Sequence, residues 1–389
     1  MNLLSTFDAF QKGINSPDAE GARKRAAEYA RTTGLPTRKN EDWKYTSVKV
    51  LDQENFVPAL TDARPTHEQM LAVRQLLNPD FINIVFHNGI LDQTLSSVDQ
   101  LPPGIRLDAR ALASDGTFKD TFDALNVAYA ATEYSLTIAK ETSCATPIHL
   151  LFYSANADEQ SVMSHPRLRI EAGERSSAHI IESYYGQEKS RYFSNTQAHV
   201  VVGPSANITY VRVQSESSDA INIGRTQFRL CKGSTLHSLA YSTGAKLSRH
   251  DVEVELSEMD STSTIDGVYL VRDQQHVDNT TVIDHRVGAC NSSQHYKGIL
   301  ADRSRAVFNG KVMIQKGAMK ANSQQLNNNL LLSQQAEADS RPQLQIYADD
   351  VKAAHGSTVG QLNSEELFYL QSRAISEADA IPMLAFGYV

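Results

Sequence analysis

The chain has 389 residues, 41% of them hydrophobic, enough to bury a large core and to form two or three units of ordinary domain size. A formal net charge of -8 argues against nucleic-acid binding, which needs a basic face, and no apolar run approaches the ~20 residues of a membrane-spanning helix. The three cysteines, Cys144, Cys231 and Cys290, lie far apart with no Cys-x-x-Cys pair, which speaks against a disulfide framework and against a self-contained four-thiolate cluster site.

Met1-Asn2-Leu3-Leu4 has no basic region before it turns polar at Ser5, Thr6 and Asp8, so no secretory signal is read and the expected location is cytoplasmic. Ser16 as N-cap, with Pro17 at the first helical position, opens a helix running from Asp18 to Thr33 that stops at Gly34 and Pro36. The following segment, Leu35 to Thr46, carries the only tryptophan. Trp43 is expected to anchor the helical part onto the next unit rather than to stack on a ligand. Residues 1–146 read as a mainly helical N-terminal domain with a linker.

From Pro147 to Val359 helical periodicity gives way to short β-rich runs. Among them are Ile148 to Tyr153, Ala178 to Tyr184, Ala198 to Val202, Ile208 to Val213 and Gln343 to Tyr347. Gly173, Gly203 and Gly233 align without gaps, one turn glycine per unit. That is the signature of a stacked β-solenoid, although hairpins of similar length in a β-sandwich fit the pattern equally well. Asn327-Asn328-Asn329 before three leucines fits side-chain ladders along stacked coils. The β unit is placed at 147–361.

Near its end the β region carries Asp349-Asp350-Val351-Lys352-Ala353-Ala354-His355-Gly356. There an imidazole, usable as metal ligand or proton carrier, stands at the edge of rigid structure. Gly356 allows close approach of backbone or partner, and Asp349 and Asp350 are candidates to orient the ring or to supply oxygen ligands. Residues 362–389 form a short C-terminal helical domain. Asn363 with Glu366 and Ser376 with Asp379 read as capping boxes, and Pro382 is expected to shorten or kink the last helix.

A second group, His276, Asp278, Asp284, His285, Cys290, His295, Lys297 and Lys311, would line one face if the strands were solenoid coils; a solvated polar face reads equally well. No Walker A motif, Gly-x-Ser-x-Gly elbow or His-Glu-x-x-His helix is present, so no free-standing catalytic apparatus is found and the chain is not expected to be an enzyme. The competing reading is a β-solenoid polysaccharide-active enzyme using Asp278, Asp284 or Asp349 as its acids.

Three blocks carry a resemblance: Pro36 to Thr46, the His355 stretch, and Asn363 to Arg373. Together they resemble the SufB/SufD family of non-ATPase scaffold subunits of the SUF iron-sulfur cluster assembly complex, on its SufD side. The resemblance implies a right-handed parallel β-helix core between helical terminal domains. It also implies a nascent iron-sulfur cluster shared with a SufB-like paralogue at a subunit interface, with His355 among the ligands and none tightly bound to the lone chain. Gly356 favours the SufD branch, because SufB relatives carry glutamate after the matching histidine and a cysteine near Asn327 to Asn329. Many relatives have cysteine where this chain has Ala353. A SufC-type ABC ATPase would dock on the C-terminal helices through Leu367, Phe368, Leu370 and Arg373, with little contribution after Pro382. The lone chain is a candidate homodimer.

Overall fold

The computed structural model describes residues 2–14, 17–59, 65–112, 114–156 and 160–389; the expected cap Ser16 lies outside them. The first long helix spans Pro17–Thr33 and stops where Gly34 adopts a left-handed φ of 71°. From residue 133 the chain winds into a parallel β-solenoid of about 8 turns, each coil giving one strand to each of two sheets.

One sheet stacks Phe193–Val202, Ile221–Leu230, Leu247–Leu256, His276–His285, Arg305–Ile314 and Glu337–Ile346 in parallel. The other stacks Asn207–Ser215, Thr235–Ser242, Thr262–Val271, Asn291–Leu300, Asn322–Leu331 and Lys352–Gln361. Side chains alternate with the two-residue period of a pleated strand. In Thr262–Val271 every second residue is buried, so Ile265, Tyr269 and Val271 enter the core between the sheets. A solenoid rather than a sandwich results because each strand bonds to the strand one coil away, not to its neighbour in sequence.

The sheets reach back past residue 147. Ile82–His87 pairs in parallel with Ser143–Ser154, and Glu133–Ile138 with Arg167–Ala172, while Ile105–Arg110 runs antiparallel to Glu133–Ile138. The N-terminal region thus mixes its helices with strands of both sheets. Those strands are only six residues long and separated by helices, which hides their period in the sequence.

The three glycines of the repeat do not occupy one position of the coil. Gly173 and Gly203 are one coil apart, and the Gly203 N–H donates to the Ala172 carbonyl at 2.9 Å. The next coil is shorter, because Val202 pairs with Leu230, which puts Cys231 rather than Gly233 over Gly203. Gly233 has φ 63° and takes the left-handed turn position held by Arg175 and Ser205 in the preceding coils and by Asp260, Ala289, Lys320 and Asp350 in later ones. Each is followed by a small or apolar residue: Ser176, Ala206, Ser234, Ser261, Cys290, Ala321 and Val351. Two glycine roles, tight backbone approach at 173 and 203 and a left-handed φ at 233, look alike in sequence.

Trp43 anchors the N-terminal segment on the outer face of the first sheet, as expected. Its buried ring lies 5.1 Å from Phe122 and 4.0 Å from the Arg249 guanidinium. Arg249 donates to the Asp42 carbonyl at 2.7 Å and to Asp278 at 2.8 Å, and Arg341 on the last strand of the sheet pairs with Glu41 at 2.7 Å. This one segment therefore straps the middle of the solenoid to its terminal coil.

At the other end Ser364–Ser372 and Glu377–Tyr388 are helices. The Asn363 side chain accepts from the Glu365 N–H at 2.9 Å, so the cap is present without the reciprocal Glu366 contact expected of a capping box. The last helix continues through Pro382 to Tyr388. Pro382 is its sixth residue, so the ring removes a single backbone bond close to the start, which this helix tolerates.

Candidate functional site

The solenoid ends without a covering coil. Glu337–Ile346 and Lys352–Gln361 are the terminal strands of their sheets, each paired on one side only among the described residues. Lys352–Gln361 is in register with Asn322–Leu331, His355 opposite Gln325. Ser323, Gln325, Asn327 and Asn329 are buried inward residues, so Ala353, His355, Ser357 and Val359 continue the same inward face. The Ser357 hydroxyl bonds the Ser340 hydroxyl of the facing sheet at 2.8 Å, and Ala353 packs on the core. His355 therefore projects from the mouth of the solenoid interior, and it is exposed because no further coil covers it.

The neighbours singled out with it fall elsewhere. Gly356 faces outward, where an added Cβ would come 3.0 Å from Leu326 Cδ2. Asp350 is the left-handed turn residue (φ 52°) whose carbonyl accepts the Lys320 N–H at 2.7 Å, a position short polar side chains tolerate. Lys352 to His355 alone is three strand steps, roughly 10 Å at about 3.3 Å each, so extended backbone carries Asp349 and Asp350 away from the imidazole. Ala353, the neighbouring inward residue on the same strand, supplies no donor atom.

The second group is dispersed. His276 and Asp278 lie under the Trp43 strap, where the Thr46 hydroxyl bonds both. His285 points inward to the Ser292 hydroxyl at 2.8 Å, and Asp284 pairs with Arg286 at 2.6 Å. His295 and Lys297 lie on the outer face of the other sheet, bonding Asn328 at 2.9 Å and the Tyr388 carbonyl at 2.8 Å. Alternation and the division into two sheets scatter these side chains over three faces. Asp278 is held by Arg249 and Asp284 by Arg286, two separate ion pairs six residues apart on one strand, so they do not form the opposed acids a glycosidase needs.

The asparagines do not ladder. Asn327 and Asn329 turn inward, Asn327 donating to the Tyr269 hydroxyl at 3.1 Å, while Asn328 faces outward to Thr358 at 2.7 Å. Their stacking neighbours are Tyr296, Lys297 and Gly298 on one side and Ser357, Thr358 and Val359 on the other. Burial pushes the Cys144 and Cys231 thiols up, which disfavours their thiolates, and Cys290 is buried with its sulfur accepting from the Ser261 hydroxyl at 3.3 Å. No group of three or more His, Cys, Asp or Glu side chains among the described residues is arranged to hold a metal ion.

On the C-terminal helices Phe368 is 70% exposed, Leu367 and Leu370 are half-buried, and Arg373 lies over the Tyr369 ring at 5.3 Å. Beyond Pro382, Phe386 is 86% exposed, a large apolar side chain that the sequence reading set aside. Gln294 and Gln325, stacked under His355, were also missed; polar residues recurring at the coil length were the available signal.

A family model described as the SUF system FeS cluster assembly SufBD core domain matches residues 153–388. The chain is 30% identical to the iron-sulfur cluster assembly protein SufD of Escherichia coli, over 99% of this chain and 92% of that protein. It is 30% identical to an iron-sulfur cluster assembly SufBD family protein of Synechocystis, over 93% and 84% of the two chains. Chloroplastic protein ABCI7 of Arabidopsis thaliana is 28% identical over 91% and 77%. No helix among the described residues is long and apolar enough to cross a membrane.

Proposed function

The chain belongs to the SufBD family of SUF iron-sulfur cluster assembly proteins, and from that premise we propose that it is a non-ATPase scaffold subunit that helps to hold a nascent cluster through His355. The observation carrying this reading is the uncovered terminal coil, which leaves an imidazole at the mouth of the solenoid beside two unpaired strand edges. Unpaired edges of ten residues are templates for further strands, which suits pairing with a SufB-like paralogue whose side chains complete the ligand set. The lone chain can bury the same edges as a homodimer. With Ala353 inert, the partner must bring the remaining ligands, and the lone chain holds no cluster tightly.

The exposed face of the C-terminal helices is the proposed dock for a SufC-type ABC ATPase. Phe368 and Arg373 are the accessible anchors, and Leu367 and Leu370 form the half-buried base. Asp349, Asp350 and Gly356 shape the last turn and strand rather than bind the cluster. A cytoplasmic location goes with this reading.

The test is His355→Ala in the complex co-expressed with its paralogue and ATPase, reconstituted anaerobically. Iron and sulfide content should fall to background while the subunits still co-purify. Wild-type cluster content in that complex removes His355 from the ligand set.

A further inference from the structure

Gln294, Gln325 and His355 stand in register on successive strands of one sheet, forming a single inward column that ends at the mouth. The two glutamines are 1% and 0% exposed. Gln325 Nε2 donates to Gln294 Oε1 at 2.7 Å, so the nitrogen side of its amide is committed to the coil before it. Its Oε1 is buried with no hydrogen-bond partner. Strands in a sheet lie about 4.8 Å apart, and the next side chain along the column is the imidazole of His355.

The facing sheet makes room for this amide. A Cβ at Gly310 would come 2.2 Å from Gln325 Nε2, so glycine at that position leaves the space the amide occupies. The relay also has a starting point. Ile265 precedes Gln294 in the column and has no acceptor, which leaves Gln294 Nε2 without a partner and Gln325 as the last amide before the histidine. An unmatched buried carbonyl oxygen costs about 1–3 kcal/mol, and a neutral imidazole always carries one N–H.

We propose that Gln325 is a positioning residue for His355: its Oε1 accepts the ring N–H, selects one tautomer, and turns the other ring nitrogen outward from the mouth of the solenoid. The consequence for cluster assembly rests on the reading of His355 as a ligand. The orientation itself belongs to the metal-free chain. Ligating histidines commonly have their second nitrogen held in this way, and losing such a partner typically costs 10–100-fold in metal affinity. Here the holder is a neutral amide whose own direction is set by a second amide.

The experiment is nitrogen NMR of the histidine ring in the full-length, metal-free chain, with the His355 signals assigned by their loss in His355→Ala. The wild type should show one tautomer, with well separated shifts for the two ring nitrogens. Gln325→Leu should average them, and Gln325→Glu, which keeps an acceptor oxygen in its neutral form, should restore the separation. Gly310→Ala, which displaces the amide without removing it, should also average them, and circular dichroism checks that each variant is folded. In the co-expressed complex Gln325→Leu should lower cluster content at least tenfold. An averaged tautomer in the wild type, or unchanged His355 shifts in folded Gln325→Leu, overturns the assignment. If His355→Ala keeps its cluster while these shifts behave as expected, the ligand reading fails and the positioning contact stands.

Discussion

Replacing Arg249 with methionine should detach the Trp43 strap at a cost set by one buried ion pair. The Arg249 side chain is 2% exposed and bonds Asp278 and Asp251 at 2.8 Å each and the Asp42 carbonyl at 2.7 Å. Its guanidinium lies 4.0 Å from the Trp43 ring centroid. Methionine keeps much of the stem but leaves Asp278, also 2% exposed, without its cation. Removing one partner of such a pair costs about 3–5 kcal/mol, and the lost contact with the indole adds up to ~2 kcal/mol. The Thr46 hydroxyl still donates to Asp278 and offsets part of this, so the expected loss is about 3–5 kcal/mol in total. Because Trp43 is the only tryptophan, its emission in a urea titration reports the strap, while circular dichroism reports the strands. A red-shifted native emission with the strap signal melting before the strands is the expected pattern. Adding Asp278→Leu should recover at least half of the loss, since an apolar pair replaces the stranded carboxylate. An Arg249→Met chain within about 1 kcal/mol of wild type by both probes refutes the reasoning.

Gly298→Ala should destabilise by about 1–3 kcal/mol or more, measured by urea unfolding, because the new Cβ would lie 2.0 Å from the Tyr269 ring; a neutral result would mean that the ring can move aside. Burial holds His149, His199 and His285 down to about 4 and His165 to about 3, so they stay neutral in the folded chain while their unfolded forms take up protons below about 6.5. Their stabilising contribution is fully present above pH 6.5 and is lost as pH falls through about 4. Glu216, raised to about 6 by burial, acts in the opposite sense, with its contribution present at low pH and lost as pH rises through 6. Taken alone, these five groups take up about three protons on unfolding near pH 5, or about 4 kcal/mol per pH unit, and burial lowers His87, His250 and His276 in the same direction; equal stability at pH 7 and pH 5 by denaturant titration contradicts it. Arg373→Glu should weaken binding of the cognate ATPase at least tenfold by titration calorimetry; if only Phe386→Ser does so, the dock lies on the last helix instead. Glu41→Gln should cost under ~1 kcal/mol, since Glu41 is largely exposed and the Arg341 pair is screened; a larger loss would make that contact the main tether of the terminal coil.

Local signals were enough for much of this molecule. Pro17 and Gly34 marked the ends of a helix through backbone constraints that act residue by residue, and the two-residue alternation around 178–213 marked strands because burial on one face imposes it. The blocks around Trp43, His355 and Arg373 pointed to the family, since each is a contiguous string. The candidate histidine was legible for the same reason. What could not be read was anything depending on which residues lie one coil apart. The coils differ in length, so Gly233 aligns by sequence with Gly203 yet stands over Ser205, and Asp349-Asp350 looks like ligand chemistry beside His355 while serving a turn. Alternation also sends His285 inward and His295 outward although both belong to one coil. Only hydrogen-bonded register decides such pairings: it stacks Gln294, Gln325 and His355 into a column and leaves the last of them uncovered at the open end.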